Sequence, residues 1–249
     1  MDWVLDERGG KASLESSEPI LLILSGLAGG KENLYNIDVI EKARHSGFKV
    51  VLVSHRGTCG LKLTTPKFYD ALSHDDLHEA TEYVFGTYCQ KQKRKLHGYG
   101  VSLGAHIFTL HLIERGSGSR YASVGANCNL FDFKQSMTYF RKESFYGFSC
   151  WLFGQNMKNL FNGHLPELKK IMDPQLYSKL ASGTEKVFDL VDYDTYVTVP
   201  MRGFSDREEY YNKAYTLDKL HKIKTPMLNL QSEDDFVVNP SILPRKLKA

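Results

Sequence analysis

Long apolar runs are missing from this sequence. Nothing in its 249 residues approaches the ~20 consecutive apolar positions of a membrane-spanning helix, and mean hydropathy is −0.35. A surplus of charge is missing too. Thirty-two basic against 29 acidic side chains leave a net charge of +3, too near neutral to point to a nucleic-acid partner. Cysteine is sparse: Cys59, Cys89, Cys128 and Cys150 form no Cys-x-x-Cys pair. That excludes a zinc ribbon and leaves free thiols in a reducing compartment as the simplest reading. The first residues, Met1 to Arg8, contain no apolar h-region and so no secretory signal. A cytoplasmic location follows as the expectation. With 42% hydrophobic and 24% charged residues, a disordered chain is excluded as well.

What is present is a series of short, continuous apolar runs. Ile20–Leu24 leads into Ser25-Gly26, Val50–Val53 into Ser54-His55-Arg56-Gly57, and Met227–Leu230 into a polar, acidic loop. Such runs, each ending in a Gly- or Asp-containing loop, suit strands of a parallel sheet buried on both faces. Helical stretches separate them. Ser73-His74-Asp75-Asp76 has capping-box spacing, with the helix running to about Tyr88. A second helix follows Ser102 and ends at Gly116. The alternation predicts a doubly wound α/β sheet. Between about residues 129 and 200 the composition shifts to aromatics and Met without a clear strand. This stretch reads as a helical insertion, either a subdomain with its own core or a lid over an acyl pocket; the two are compatible.

Gly100-Val101-Ser102-Leu103-Gly104 matches G-x-S-x-G. The pentapeptide alone is weak, but here Leu96–Tyr99 reads as the strand before it and Leu103–Ile107 as the helix after it. A strand that turns sharply into a helix strains the serine backbone, and glycines two positions either side relieve the crowding. The turn exposes the serine Oγ and aims the helix N-terminus at a developing oxyanion. Ser102 is therefore the candidate nucleophile.

Leu24-Ser25-Gly26-Leu27-Ala28-Gly29-Gly30 follows the first strong strand. An oxyanion hole needs a backbone N–H from this loop beside that of the residue after the nucleophile, which makes Leu27 and Leu103 the candidate donors. A Walker loop is excluded because Gly30-Lys31-Glu32 lacks the hydroxyl. After the Met227–Leu230 strand comes Gln231-Ser232-Glu233-Asp234-Asp235. A carboxylate here would orient the catalytic base, and the distance from the strand end favours Asp235 over Asp234.

Several ordered motifs together resemble a specific family, the AB hydrolase-4 group of the AB-hydrolase superfamily, which includes alpha/beta-hydrolase domain-containing proteins 1 and 3 and bacterial and yeast esterases. Asp2-Trp3 is similar to its L-D-W, and Leu24–Gly30 to its L-P-G-L-T-G-G. His55-Arg56-Gly57 and Leu63-Thr64-Thr65-Pro66-Lys67-Phe68-Tyr69 are similar to its R-G and L-x-T-P-x-x-Y. Gly100–Ala105 matches the elbow, and Tyr210-Tyr211, Ile223–Pro226 and Asp234-Asp235 match the closing Y-Y, I-x-x-P and D-D. The resemblance covers nearly the whole chain. It implies one α/β-hydrolase domain over residues 1–249 with a cap insertion at about 129–200. It also implies a serine hydrolase of acyl esters, phospholipids and medium-chain esters among them, with acyl transfer to alcohols in some relatives. No metal or organic cofactor is called for.

The sequence departs from the family at its end. The family histidine comes last, yet no histidine follows His221, and 14 residues follow Asp235 where a helix, a strand and their loops need about 25. The chain therefore reads as truncated at its C-terminus, or as a homologue that binds lipid without cleaving it. His55, at a strand end, is the first substitute base; His106, one turn after Ser102, reads as packed. His74 and His78 have i, i+4 metal spacing but sit at what reads as a capped helix start. Lys91–Lys95 reads as a solvated loop. Arg245–Lys248 reads as a frayed terminus, with contact to anionic lipid as its alternative.

Overall fold

The computed structural model describes residues 1–4, 17–30, 33–142 and 144–242, leaving aside the side chains of residues 144 and 146. The basic run at 245–248 lies outside the described residues. Two compact units emerge, one built from residues 1–55, 71–129 and 218–231, the other from 56–70, 130–217 and 232–249.

The first unit holds a six-stranded sheet: β1 (Asp2–Val4), β2 (Ile20–Leu24), β3 (Lys49–Val53), β4 (Leu96–Val101), β5 (Tyr121–Asn127) and β6 (Met227–Leu230), in the order β1-β3-β2-β4-β5-β6. Only β1 runs antiparallel, with Trp3 opposite Val51. The remaining pairs are parallel, and Leu22 lies between Val51 and Gly98. Helices α1 (Leu34–His45), α2 (His74–Val84) and α3 (Leu103–Arg115) make the crossovers. The chain leaves β2 first to β3 and then returns past it to β4. The carboxyl ends of β2, β3 and β4 therefore meet at the topological switch point, where open α/β sheets bind ligands.

Burial follows position in the sheet. Residues of β2 and β3 are almost wholly enclosed, as expected for strands covered on both faces. Strand β6 departs from that expectation. It pairs with β5 alone among the described residues, and Leu228 and Leu230 are 63% and 52% exposed. Helix α3 is enclosed on every side: each residue from Leu103 to Ile113 is buried, the polar His106, Thr109 and His111 included.

Two local readings are corrected. Helix α2 does start after Ser73, but the Ser73 side chain makes no capping hydrogen bond. Asp75 and Asp76 in its first turn complement the helix dipole instead. The basic run at 91–95 is not wholly solvated: Arg94 is buried and its Nε donates to the Glu18 carbonyl at 2.6 Å. All four cysteines are free thiols.

The second unit contains helices and, among its described residues, no strand: α4 (Phe133–Lys142), α5 (Ser144–Asn162), α6 (Leu165–Ile171), α7 (Pro174–Glu185), α8 (Leu190–Tyr193), α9 (Val199–Arg202) and α10 (Arg207–Lys213). Phe140, Met157, Phe161, Leu168 and Leu180 are buried in it. Arg202 forms a two-pronged ion pair with Asp70, with Nη2 2.8 Å from Oδ1. Arg141 Nε lies 2.7 Å from Asp189, which also caps α8. No described helix is long and apolar enough to cross a membrane.

Candidate active site

Ser102 stands between β4 and α3 with φ 54° and ψ −118°. A non-glycine residue rarely adopts this backbone, and it persists only where its surroundings enforce it. Here they do. The Ser102 N–H donates to the Asn127 carbonyl of β5 at 2.8 Å, and its carbonyl accepts from His106 N at 3.0 Å.

The flanking glycines are required by contact. A Cβ at Gly100 would fall 2.6 Å from both Ala105 N and Gly104 O. One at Gly104 would sit 2.5 Å from the Ser25 carbonyl oxygen and closer still to that of Leu24. The first turn of α3 thus lies directly against the end of β2. Gly26 completes the approach: a Cβ there would lie 3.3 Å from Ser102 Cβ. The loop carrying Leu27 abuts the elbow.

Neither the Leu27 N–H nor the Leu103 N–H donates to any group among the described residues. Leu103 is the first residue of α3, where backbone donors have no intrahelical partner and the helix dipole is positive. Two uncommitted donors beside a strained serine are what an oxyanion requires.

Side chains that sequence reasoning did not single out hold the loop. The Asn36 amide, fully enclosed on α1, donates to Ser25 Oγ and to the Gly30 carbonyl, both at 2.7 Å. Asn33 Oδ1 accepts from Gly30 N at 2.6 Å. The Tyr35 hydroxyl lies 3.4 Å from Gly26 N, and burial pushes the pKa of its phenol up. A Cβ at Gly29 would come within 2.5 Å of that hydroxyl, so glycine is needed there. The available signal was the three polar residues Asn33, Tyr35 and Asn36 just after a glycine-rich turn.

His55 is buried at the end of β3. A carbonyl can only accept, so its Nε2–H is the donor in the 2.8 Å bond to Ser25 O. Burial pushes its pKa below the usual histidine value, so the ring is neutral at pH 7. That proton assignment counts against His55 Nε2 as a substitute base. His106 is fully enclosed, as its spacing suggested. His78 packs its ring 5.8 Å from that of His111, and burial lowers the His111 pKa to about 4. No group of His, Cys, Asp or Glu among the described residues could hold a metal ion.

Ser102, Leu27 and Leu103 belong to the first unit and Asp235 to the second. Within its own unit Asp235 Oδ1 accepts from Val237 N at 2.8 Å and Val238 N at 2.9 Å, and Asp234 accepts from Ser232 Oγ. His164, not considered from sequence, donates through Nε2 to the Gly57 carbonyl at 2.7 Å.

No protein-family model matches the chain. Curated proteins do. It is 26% identical over 242 residues to a monoacylglycerol lipase of Saccharomyces cerevisiae, covering 96% of this chain and 53% of the relative. It is 25% identical over 244 residues to human phospholipase ABHD3, covering 97% and 56%. The chain has the α/β-hydrolase fold. A third relative is the medium-chain fatty acid ethyl ester synthase/esterase 2 of Saccharomyces cerevisiae, 28% identical over 244 residues, covering 89% and 52%. The fold also matches a solved puromycin-hydrolysing peptidase of Mycobacterium tuberculosis with a TM-score of 0.54 and 14% identity, over 91% of this chain and 27% of that one. The chain spans about half the length of the curated relatives it matches.

Proposed function

We propose that this α/β-hydrolase cleaves carboxylic esters of acyl lipids or medium-chain acids through a covalent acyl intermediate on Ser102. The observation that carries the reading is the strained Ser102 backbone, held between two glycines that admit no Cβ and beside the unused N–H groups of Leu27 and Leu103. Ser102 Oγ attacks the ester carbonyl, and the two N–H groups stabilise the oxyanion. The Ser102 proton passes by way of the general base to the departing alkoxide so that the alcohol leaves, and water then hydrolyses the acyl-serine to release the acid. Asp235 is assigned as the carboxylate that orients the base. The names of the relatives support the substrate class: a monoacylglycerol lipase, a medium-chain ethyl ester synthase/esterase and a phospholipase. The second of these also supports alcohols as acyl acceptors. The protein works on the cytoplasmic side, touching lipid surfaces through α5, whose Phe145 and Phe148 are exposed. Turnover of p-nitrophenyl esters and fluorophosphonate labelling, both abolished by Ser102→Ala, test the reading; activity retained in that variant overturns it.

A second reading is an acyl-binding protein that does not hydrolyse. It is favoured by the commitment of the His55 Nε2 proton to Ser25. Co-purified acyl lipid without turnover of any ester supports it.

A further inference from the structure

We infer that His55 is a positioning residue, which sets the oxyanion loop by holding the Ser25 carbonyl; this rests on the oxyanion role proposed above for Leu27. Ser25 is two residues before Leu27, so the plane of its peptide helps decide where the Leu27 N–H points. The residue is gripped from both sides. His55 Nε2–H reaches its carbonyl at 2.8 Å, and Asn36 Nδ2 reaches its hydroxyl at 2.7 Å. The other Asn36 amide hydrogen goes to the Gly30 carbonyl at 2.7 Å, so one side chain ties both ends of the 25–30 loop.

The sequence shows why such a grip is needed. The resembled motif reads L-P-G-L, and this chain has Leu24-Ser25-Gly26-Leu27. Proline fixes its own φ and limits the conformations of the residue before it. Serine does neither, and Gly26 beside it adds freedom. The hydrogen bonds from His55 and Asn36 replace a constraint that a ring would supply covalently. His55 suits the task because it is buried and neutral, and its tautomer is fixed by the acceptor it faces. The same Ser25 carbonyl lies against Gly104 in the turn after Ser102, so a shift of the loop is felt at the elbow.

The test compares His55→Leu, which removes the donor, with His55→Gln, which keeps an amide N–H at similar reach and cannot titrate near neutrality. Acylation by p-nitrophenyl butyrate gives kcat and KM, and amide hydrogen exchange reports on residues 25–30. Displacement of an oxyanion donor by about 1 Å lowers rate by up to ~100-fold. His55→Leu is therefore expected to lose roughly 10- to 100-fold in kcat with little change in KM, and to exchange faster at 25–30 while β4 stays protected. His55→Gln recovers most of the rate and the protection. If the two variants are equally inactive with the loop still protected, the imidazole acts as a proton acceptor and the inference is overturned. Unchanged kcat and exchange in His55→Leu overturn it too. If the unmutated protein neither turns over esters nor labels at Ser102, the enzymatic reading fails. The exchange data still decide whether His55 holds the loop.

Discussion

The Tyr211 hydroxyl donates to Asp194 Oδ2 at 2.9 Å inside the second unit, and Thr198 Oγ1 donates to the other carboxyl oxygen at 3.0 Å. Burial outweighs both bonds and raises the Asp194 pKa from 3.8 to about 7. The folded protein therefore holds a proton here that the unfolded chain has released between about pH 4 and pH 7. Stability contributed by this group is full below about pH 4, declines as pH rises through the window, and is level above it. The expected span is a few kcal/mol. Asp194→Asn keeps an acceptor and removes the titration, so it flattens the profile and stabilises at pH 8. Urea midpoints between pH 4.5 and 8.5 check this; parallel profiles for the two proteins would refute it.

Gly104 and the Ser25 carbonyl leave no room for a methyl group. Gly104→Ala is expected to cost about 1–3 kcal/mol, because the obstacle is backbone and cannot rotate away. Gly118→Ala, where a Cβ meets nothing within 4 Å, is expected to stay within about 0.5 kcal/mol. Equal urea midpoints for the two variants would show that the loop yields.

The elbow was legible in the sequence because a strained turn demands glycine at fixed offsets, and Gly100 and Gly104 are where contact forbids a side chain. Strands β2 and β3 were legible from continuous apolar runs. Strand β5, Tyr-Ala-Ser-Val-Gly-Ala-Asn, was not, since its small residues make no such run; the short β1 was missed as well. Leu228 and Leu230 look like core in the sequence and are exposed, because periodicity reports apolarity and not which neighbour covers a strand. The grip of Asn36 and His55 on Ser25 depends on contacts 11 and 30 residues apart, which local pattern does not encode.

Asp235 offers a separation of structure from chemistry. Its Oδ1 accepts two backbone N–H groups, from Val237 and Val238. Asp235→Asn retains a carbonyl oxygen for those bonds and loses only charge. The fold should hold within about 0.5 kcal/mol, while kcat falls by at least ~100-fold if the carboxylate orients a base. Asp235→Ala loses the turn as well and is expected to cost a further ~1 kcal/mol. Full activity in Asp235→Asn would move the assignment to Asp234.

Helix α5 presents Phe145 and Phe148, 71% and 59% exposed, with Leu152 on the same face at i+7 from Phe145. Phe148 stacks on Trp151 with ring centroids 5.5 Å apart. A shallow depression of about 550 Å³ beside them is lined by Phe188 and Arg141. The 19-residue helix contains no acidic residue, and Lys158 is its only charged side chain, so nothing on α5 repels an anionic surface. Apolar side chains with Trp and Phe at one face are suited to the headgroup boundary of a bilayer. Burying one Phe contributes roughly 1.5–3 kcal/mol, so Phe145→Ser with Phe148→Ser is expected to weaken vesicle binding by at least ~10-fold. Turnover of a soluble short-chain ester should be unaffected. Co-sedimentation with phosphatidylcholine–phosphatidylglycerol vesicles decides the matter. Equal sedimentation of the two proteins removes α5 as the lipid contact, and a shift from dimer to monomer in the variant assigns the face to a second copy of the chain instead.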